Sequence, residues 1–294
     1  ESFVRNKAIA AMASAACLLF AGAAGAAQPT PWQTDLQPAA SGVMHEIRWF
    51  EEYTLWFIIP ITLLVLALLI IVVLRFRAGA NPVPSKTSHN TAIEIIWTLG
   101  PVVVLFLIAI PSFQLLSNEL IIPKDTDLTI KATGNQWYWS YEYQGGKELA
   151  FDSLMLKDAD RAKFGKEDKG AYPRLLAVDN ELVVPVNKTV RVLVTGADVI
   201  HAFAMPAFGV KIDAVPGRMN ETWFKADKEG LYYGQCSELC GKDHAFMPVA
   251  IRVVSDEQYK TWLAAAATDM GAANKALMAA VDGKKSVDMA SSAQ

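Results

Sequence analysis

The chain has 294 residues, of which 52% are hydrophobic and 19% charged, with a formal net charge of −3. The apolar share exceeds that of an ordinary soluble domain, and the chain lacks the basic excess that marks nucleic-acid binding. A lipid bilayer is therefore an expected partner, and nucleic acid is not.

In chain order, Arg5 and Lys7 precede an apolar stretch from Ala8 to Phe20, followed by the small-residue segment AGAAGAAQ. That is the layout of a cleavable secretory signal over 1–27, cut just after Ala26 or Ala27. Its removal takes Cys17 with it and leaves Cys236 and Cys240 as the cysteines of the mature chain. Residues 28–52 form an N-terminal segment outside the membrane, Pro/Gln/Ala-rich and extended as far as residue 44.

Leu55 to Leu74 carries no charge and is long enough to cross a hydrocarbon core of about 30 Å as a helix. Ile95 to Leu116 is a second such run, interrupted by Pro101 and Pro111, which predict kinks. Neither run has a polar face, so both read as spans: 53–74 and 93–117. The loop between them, 75–92, holds Arg75, Arg77 and Lys86 and no acid. The positive-inside rule places that loop in the cytoplasm and both flanking segments on the opposite side. Thr91-Ala92-Ile93-Glu94 reads as a capping box opening the second helix, with Thr91 at the N-cap and Glu94 at N3.

After Pro123 the pattern changes to short β-branched and aromatic runs separated by turn signals. Strands are predicted over 128–132, 136–143, 182–186, 190–195, 221–226, 231–235 and 249–254, and so many short strands indicate a sandwich or barrel. Lys157–Gly170 is predicted as a surface loop or short helix. Ser255-Asp256-Glu257-Gln258 reads as a capping box opening a last helix through Trp262, and 263–294 as a mobile tail.

The chemistry is concentrated in Cys236-Ser-Glu238-Leu-Cys240-Gly-Lys-Asp-His244-Ala-Phe-Met247, with His201 upstream. Thiolate and thioether are soft ligands that favour copper, and imidazole suits it too. A mononuclear blue-copper site needs one Cys, two His and a weak axial Met, so one thiolate is left over. Two copper ions sharing both sulfurs as bridges, each with one His, would use it. A structural Cys2His2 zinc site has little use for Met247. A Cys236–Cys240 disulfide and a merely core-filling Met247 are the other readings.

The run GQCSELCGKDHAFMP, with DVIHAFAMPAFGVKIDAVPGR before it and GNQWYWSYEY at 134–143, resembles subunit II of the haem–copper cytochrome c oxidases, of the bacterial aa3-like, CuA-containing type. With the two spans, the likeness covers roughly residues 45–262. It implies a two-helix transmembrane hairpin followed by an all-β cupredoxin-like Greek-key barrel, the CuA domain, over 124–262. It also implies a two-pass protein of the bacterial inner membrane with its C-terminal domain in the periplasm. The implied function is to accept electrons from cytochrome c through a dinuclear copper A centre. Those electrons pass to the haem-bearing subunit I, for oxygen reduction coupled to proton pumping, in a complex that includes subunit III.

By the same resemblance, Cys236 and Cys240 bridge the coppers, His201 and His244 bind one each, and Met247 and the Glu238 carbonyl are axial. The Glu238 carboxylate helps bind a Mg2+ shared with the catalytic subunit. Trp137 is where electrons arrive from cytochrome c, although Asn135 stands where many relatives have His. Glu142, Asp152, Asp179 and Asp198 match the acids that dock the basic cytochrome. Residues 124–254 hold 18 acids and 17 bases, so such a patch has to be local. Glu94 lies at the mouth of a proton-uptake pathway. The chain has four histidines, too few to build an oxygen-reducing centre beside the copper site, so that chemistry is expected in a partner. A membrane-anchored periplasmic copper chaperone is the alternative, but chaperones with a Cys-x3-Cys loop take their His from far downstream.

Overall fold

The computed structural model describes residues 28–145 and 149–292. The signal segment expected over 1–27 lies outside them. Helices α1 (Gly42–Arg75) and α2 (Thr91–Leu120) are each long and apolar enough to cross a membrane. Among the described residues, nothing covers their most apolar stretches. Leu63, Leu69, Val73, Leu105 and Phe106 all face outward. Such surface is stable only in hydrocarbon, and both helices run on through Pro60, Pro101 and Pro111. The Tyr53 hydroxyl donates to the Leu107 carbonyl at 3.0 Å and ties the hairpin together.

Helix α1 starts well before the predicted span. Charged residues from Glu46 to Glu52 disqualify that stretch as hydrocarbon-spanning but not as helix. Ser41 caps it, its Oγ accepting from Met44 N at 3.1 Å and donating to the Phe208 carbonyl at 2.8 Å. At 1.5 Å per residue the segment from Gly42 to Leu55 projects roughly 20 Å above the apolar run. Its root is stitched to the β domain. Ala40 N donates to Ala207 O at 2.9 Å, Asp227 N donates to Ala40 O at 3.0 Å, and His45 Nε2 lies 3.1 Å from Asp227 Oδ2. Gly209, at φ +70°, passes so close that a Cβ there would meet Ile47 Cδ1 at 2.6 Å.

The cap of α2 also differs from expectation. Asn90, not Thr91, is the N-cap: its Oδ1 accepts from Ala92 N and Ile93 N at 3.1 and 3.3 Å. Glu94 Oε1 accepts from Asn90 N at 3.2 Å. The reciprocal bonding is kept, but the N-cap lies one residue earlier and Glu94 is at N4 rather than N3.

Among the described residues the β domain has ten strands: β1 (Leu128–Asn135), β2 (Tyr138–Gln144), β3 (Leu149–Ser153), β4 (Leu182–Pro185), β5 (Thr189–Gly196), β6 (His201–Met205), β7 (Val210–Ala214), β8 (Asn220–Lys225), β9 (Gly230–Cys236) and β10 (Pro248–Val254). They form two five-stranded sheets, ordered β3-β2-β1-β5-β8 and β4-β10-β9-β6-β7. The β1–β5 and β4–β10 pairs are parallel and the others antiparallel. Alternation in β5 sends Val190, Val192 and Val194 inward, where they meet Trp139, Phe203 and Phe224 between the sheets. Strand β10 is buried along its whole length, and so reads as an apolar run broken only by Arg252 rather than as an alternating one.

After β10, Ser255 caps α3 (Asp256–Ala266) through the predicted box with Gln258. The mobile tail expected over 263–294 is corrected: α3 continues to Ala266, and α4 (Met270–Ser292) follows it. Ala273 and Leu277 of α4 are buried against the barrel. Asn274 accepts from Trp262 Nε1 at 2.9 Å and donates to Asn180 Oδ1 at 3.2 Å. The insert 157–170 holds the short helix expected as one of its two readings. A 3-10 turn over Asp158–Asp160 runs into Arg161–Phe164, which begins with a buried Arg161, and Lys166 reaches inside to Glu181 at 2.9 Å. Glu181 also pairs with the buried Arg252. Burial opposes ionisation of Glu181, yet Arg252 and Lys166 hold its carboxyl down to about 2.

Candidate metal centre

The candidate centre lies where β6, β9 and the loop before β10 meet. Strand β9 ends at Cys236, the loop carries Cys240, and a 3-10 turn over His244–Phe246 presents His244 and then Met247. Strand β6 starts at His201 and pairs with β9, so Phe203 sits opposite Cys236. Close backbone approach makes this crossing work. A Cβ on Gly234 would fall 1.8 Å from the Ala204 carbonyl.

The two sulfurs lie 3.9 Å apart as free thiols, both buried. Each thiol has its own imidazole: His201 Nδ1 is 3.9 Å from Cys236 Sγ, and His244 Nδ1 is 3.5 Å from Cys240 Sγ. Met247 Sδ lies 3.5 Å from Cys240 Sγ, and the Glu238 carbonyl 3.3 Å from Cys236 Sγ. The ligand atoms of His201, Cys236 and Cys240 all fall within 4.8 Å of one another. Donors from two strands and a loop therefore converge, with His201, Cys236, Cys240 and Met247 buried and His244 half-buried at the rim, and the donor set suits copper.

Burial opposes ionisation of both thiols. At Cys236 hydrogen bonds with His201, the Ala202 and Glu238 backbone and His244 together outweigh it and bring the thiol down to about 7. At Cys240 burial and the neighbouring Cys236 push the thiol up. The pair thus resists holding two negative charges, and a cation that binds both sulfurs relieves that repulsion.

Trp137 is half-buried beside the centre, its Nε1 donating to the Cys240 carbonyl at 3.3 Å. Gly241, at φ +126°, leaves room for the indole: a Cβ would lie 3.1 Å from its ring. Glu238 exposes its side chain while its carbonyl faces Cys236.

The proposed docking acids separate. Asp152 is exposed and accepts from Ser140 Oγ at 2.7 Å, and Glu142 pairs with Lys131 at 2.7 Å. Asp179 turns inward to accept from Leu154 N at 2.8 Å, and burial raises its pKa. Asp198 Oδ1 accepts from His201 Nε2 at 2.8 Å, so it belongs to the centre itself. Glu94 lies far off, at the opposite end of the hairpin.

Sequence reasoning missed Gln136, whose Nε2 donates to the Cys240 carbonyl at 2.7 Å. It also missed Gly134, where a Cβ would meet the His201 ring at 2.9 Å. No local pattern marks either one, because both act across strands.

A cupredoxin-like double sheet, a Cys2His2Met set between its loops and two bilayer-crossing helices define a membrane-anchored metalloprotein. The chain belongs to the cytochrome c oxidase subunit II family. The family model described as the periplasmic domain of subunit II matches residues 128–254, and that described as its transmembrane domain matches 29–115. A probable cytochrome c oxidase subunit 2 of Rickettsia bellii is 50% identical over 84% of this chain and 89% of its own length. The cytochrome c oxidase subunit 2 of Cereibacter sphaeroides is 45% identical over 85% and 88%. The solved periplasmic domain of subunit II from Bradyrhizobium japonicum is 64% identical, covering 50% of this chain and 96% of that one, with a TM-score of 0.44. The protein is therefore a two-pass membrane component of an oxidoreductase complex, with its β domain periplasmic. Family membership sets aside the chaperone alternative.

Proposed function

We propose that this chain receives electrons from cytochrome c at a dinuclear copper A centre and passes them to the haem-bearing catalytic subunit. The observation that carries the reading is the pairing of two buried thiols 3.9 Å apart, each with its own imidazole. When bound, two copper ions would supply a one-electron redox couple whose geometry changes little between states. Cys236 and Cys240 would hold both ions, His201 and His244 one each, with Met247 and the Glu238 carbonyl as further weak donors. The surrounding core shields His201, Cys236, Cys240 and Met247 from water, while His244 sits half-buried at the rim.

Trp137, hydrogen-bonded to the Cys240 carbonyl, links the outer surface to a bridging ligand. The exposed Asp152, together with Glu142, would attract a basic cytochrome. The exposed Glu238 carboxylate is available for a Mg2+ shared with subunit I. Glu94, at the cytoplasmic end of α2, would serve proton uptake into that subunit, in a complex with subunit III in the bacterial inner membrane.

Metal analysis with EPR of the copper-loaded chain tests the centre. Two coppers per chain sharing one unpaired electron are expected, and Cys236→Ser or Cys240→Ser should destroy the shared signal. One copper per wild-type chain with a four-line spectrum would overturn the assignment.

A further inference from the structure

We propose that Asp198 is a positioning residue for the copper ligand His201, holding the imidazole proton on Nε2 so that Nδ1 keeps its lone pair for metal. The inference rests on the copper reading above. His201 is fully buried, and its two ring nitrogens face different partners. Nε2 lies 2.8 Å from Asp198 Oδ1, while Nδ1 faces Cys236 Sγ at 3.9 Å. A carboxylate can only accept from the ring, so Nε2 carries the proton.

The carboxylate is itself fixed. Asp198 Oδ1 also accepts from Val199 N at 2.7 Å, and Oδ2 accepts from Gln136 N at 2.7 Å. Gln136 then reaches the Cys240 carbonyl at 2.7 Å, so one carboxylate braces both ligand-bearing segments. Gly134 and the edge of Trp139 hem in the ring from the β1–β2 side. Among the described residues, His244 has no such carboxylate partner, so the two imidazoles are electronically unlike. An anionic partner on the far nitrogen raises imidazole basicity and favours the oxidised metal.

The test uses the full-length chain in detergent, labelled with 15N-histidine, with His201 assigned by the signal that His201→Gln removes. In the metal-free wild type, Nε2 is protonated and Nδ1 bare. Asp198→Ala should mix the two tautomers and weaken copper binding about 10–100-fold. It should also move the reduction equilibrium about tenfold toward the reduced form, roughly 59 mV for one electron. Asp198→Asn keeps an acceptor oxygen without the charge. It should retain the wild-type tautomer yet still shift the potential, which a merely structural role would not do. Unchanged tautomer, affinity and potential in Asp198→Ala, with only the salt dependence of cytochrome c oxidation altered, would make Asp198 a surface docking acid and overturn the proposal. If the wild-type chain fails to take up two coppers, the functional reading falls, while the metal-free NMR comparison still decides the Asp198–His201 link.

Discussion

Trp137 rests on the carbonyl of Cys240, so under the proposed function its indole would offer both a surface and a route. Trp137→Phe keeps an aromatic ring but loses the 3.3 Å bond from Nε1 to the Cys240 carbonyl. Stopped-flow reduction of the centre at saturating cytochrome c should slow well beyond twofold. A change within twofold, about 0.4 kcal/mol in barrier, would reduce Trp137 to packing. The candidate donors stood out in the sequence because five of the six proposed metal-site residues fall within one twelve-residue run. What holds them was not. Asp198 reads as one more surface acid until the fold swings β6 against β9, and Gln136 is an unremarked polar residue until its amide meets Cys240. Hydrogen bonds between loops leave no periodicity to read.

At the scale of elements, the cap of α2 and the buried carboxylate Glu181 yield two predictions. Asn90→Ala removes the cap of α2 and should cost about 1 kcal/mol locally without changing turnover. Glu94→Gln keeps a group able to accept from Asn90 N but loses the ionisable proton. Proton uptake through Glu94 would make turnover in the assembled oxidase fall severalfold, with copper content normal, and wild-type turnover would leave Glu94 a helix cap. The second prediction concerns Glu181. Glu181→Ala strands two buried cations and should cost about 3–5 kcal/mol in a denaturation experiment. Its folded pKa is depressed, so its contribution to stability is fully present above the ordinary carboxylate range and is lost as pH falls toward about 2. In the wild type that contribution should survive mild acid, and it should be absent at every pH in Glu181→Ala. The strands of regular alternation, such as β5, were legible. Strands β3, β6 and β7 were not: β6 is buried on both faces, and β3 and β7 are only five residues long. The helix Met270–Ser292 was not read because an Ala-rich segment has few large side chains to announce burial.

For the whole molecule, the docking acids predict a graded response. Exposed charges attract a basic partner through a field screened over about 8–10 Å at physiological salt. Asp152→Asn should raise the KM for cytochrome c and flatten its ionic-strength dependence. Glu142→Gln should do less, because Lys131 already offsets that charge. Asp179→Asn should leave the slope unchanged, since its carboxylate is spent on Leu154 and Asn180 backbone. An equal slope change for all three, measured by steady-state turnover across a salt series, would refute this ranking. The stitched root of α1 has a consequence of its own. Electron tunnelling fades exponentially with distance, so a donor on a slack tether would deliver current at a fluctuating rate. Here a continuous helix rises from the bilayer and is pinned at Ala40, Ser41 and His45 to the β domain that carries the thiols. The protein behaves as a mast rather than a leash: it sets the altitude of its redox centre once, at folding, and every electron thereafter meets the same gap.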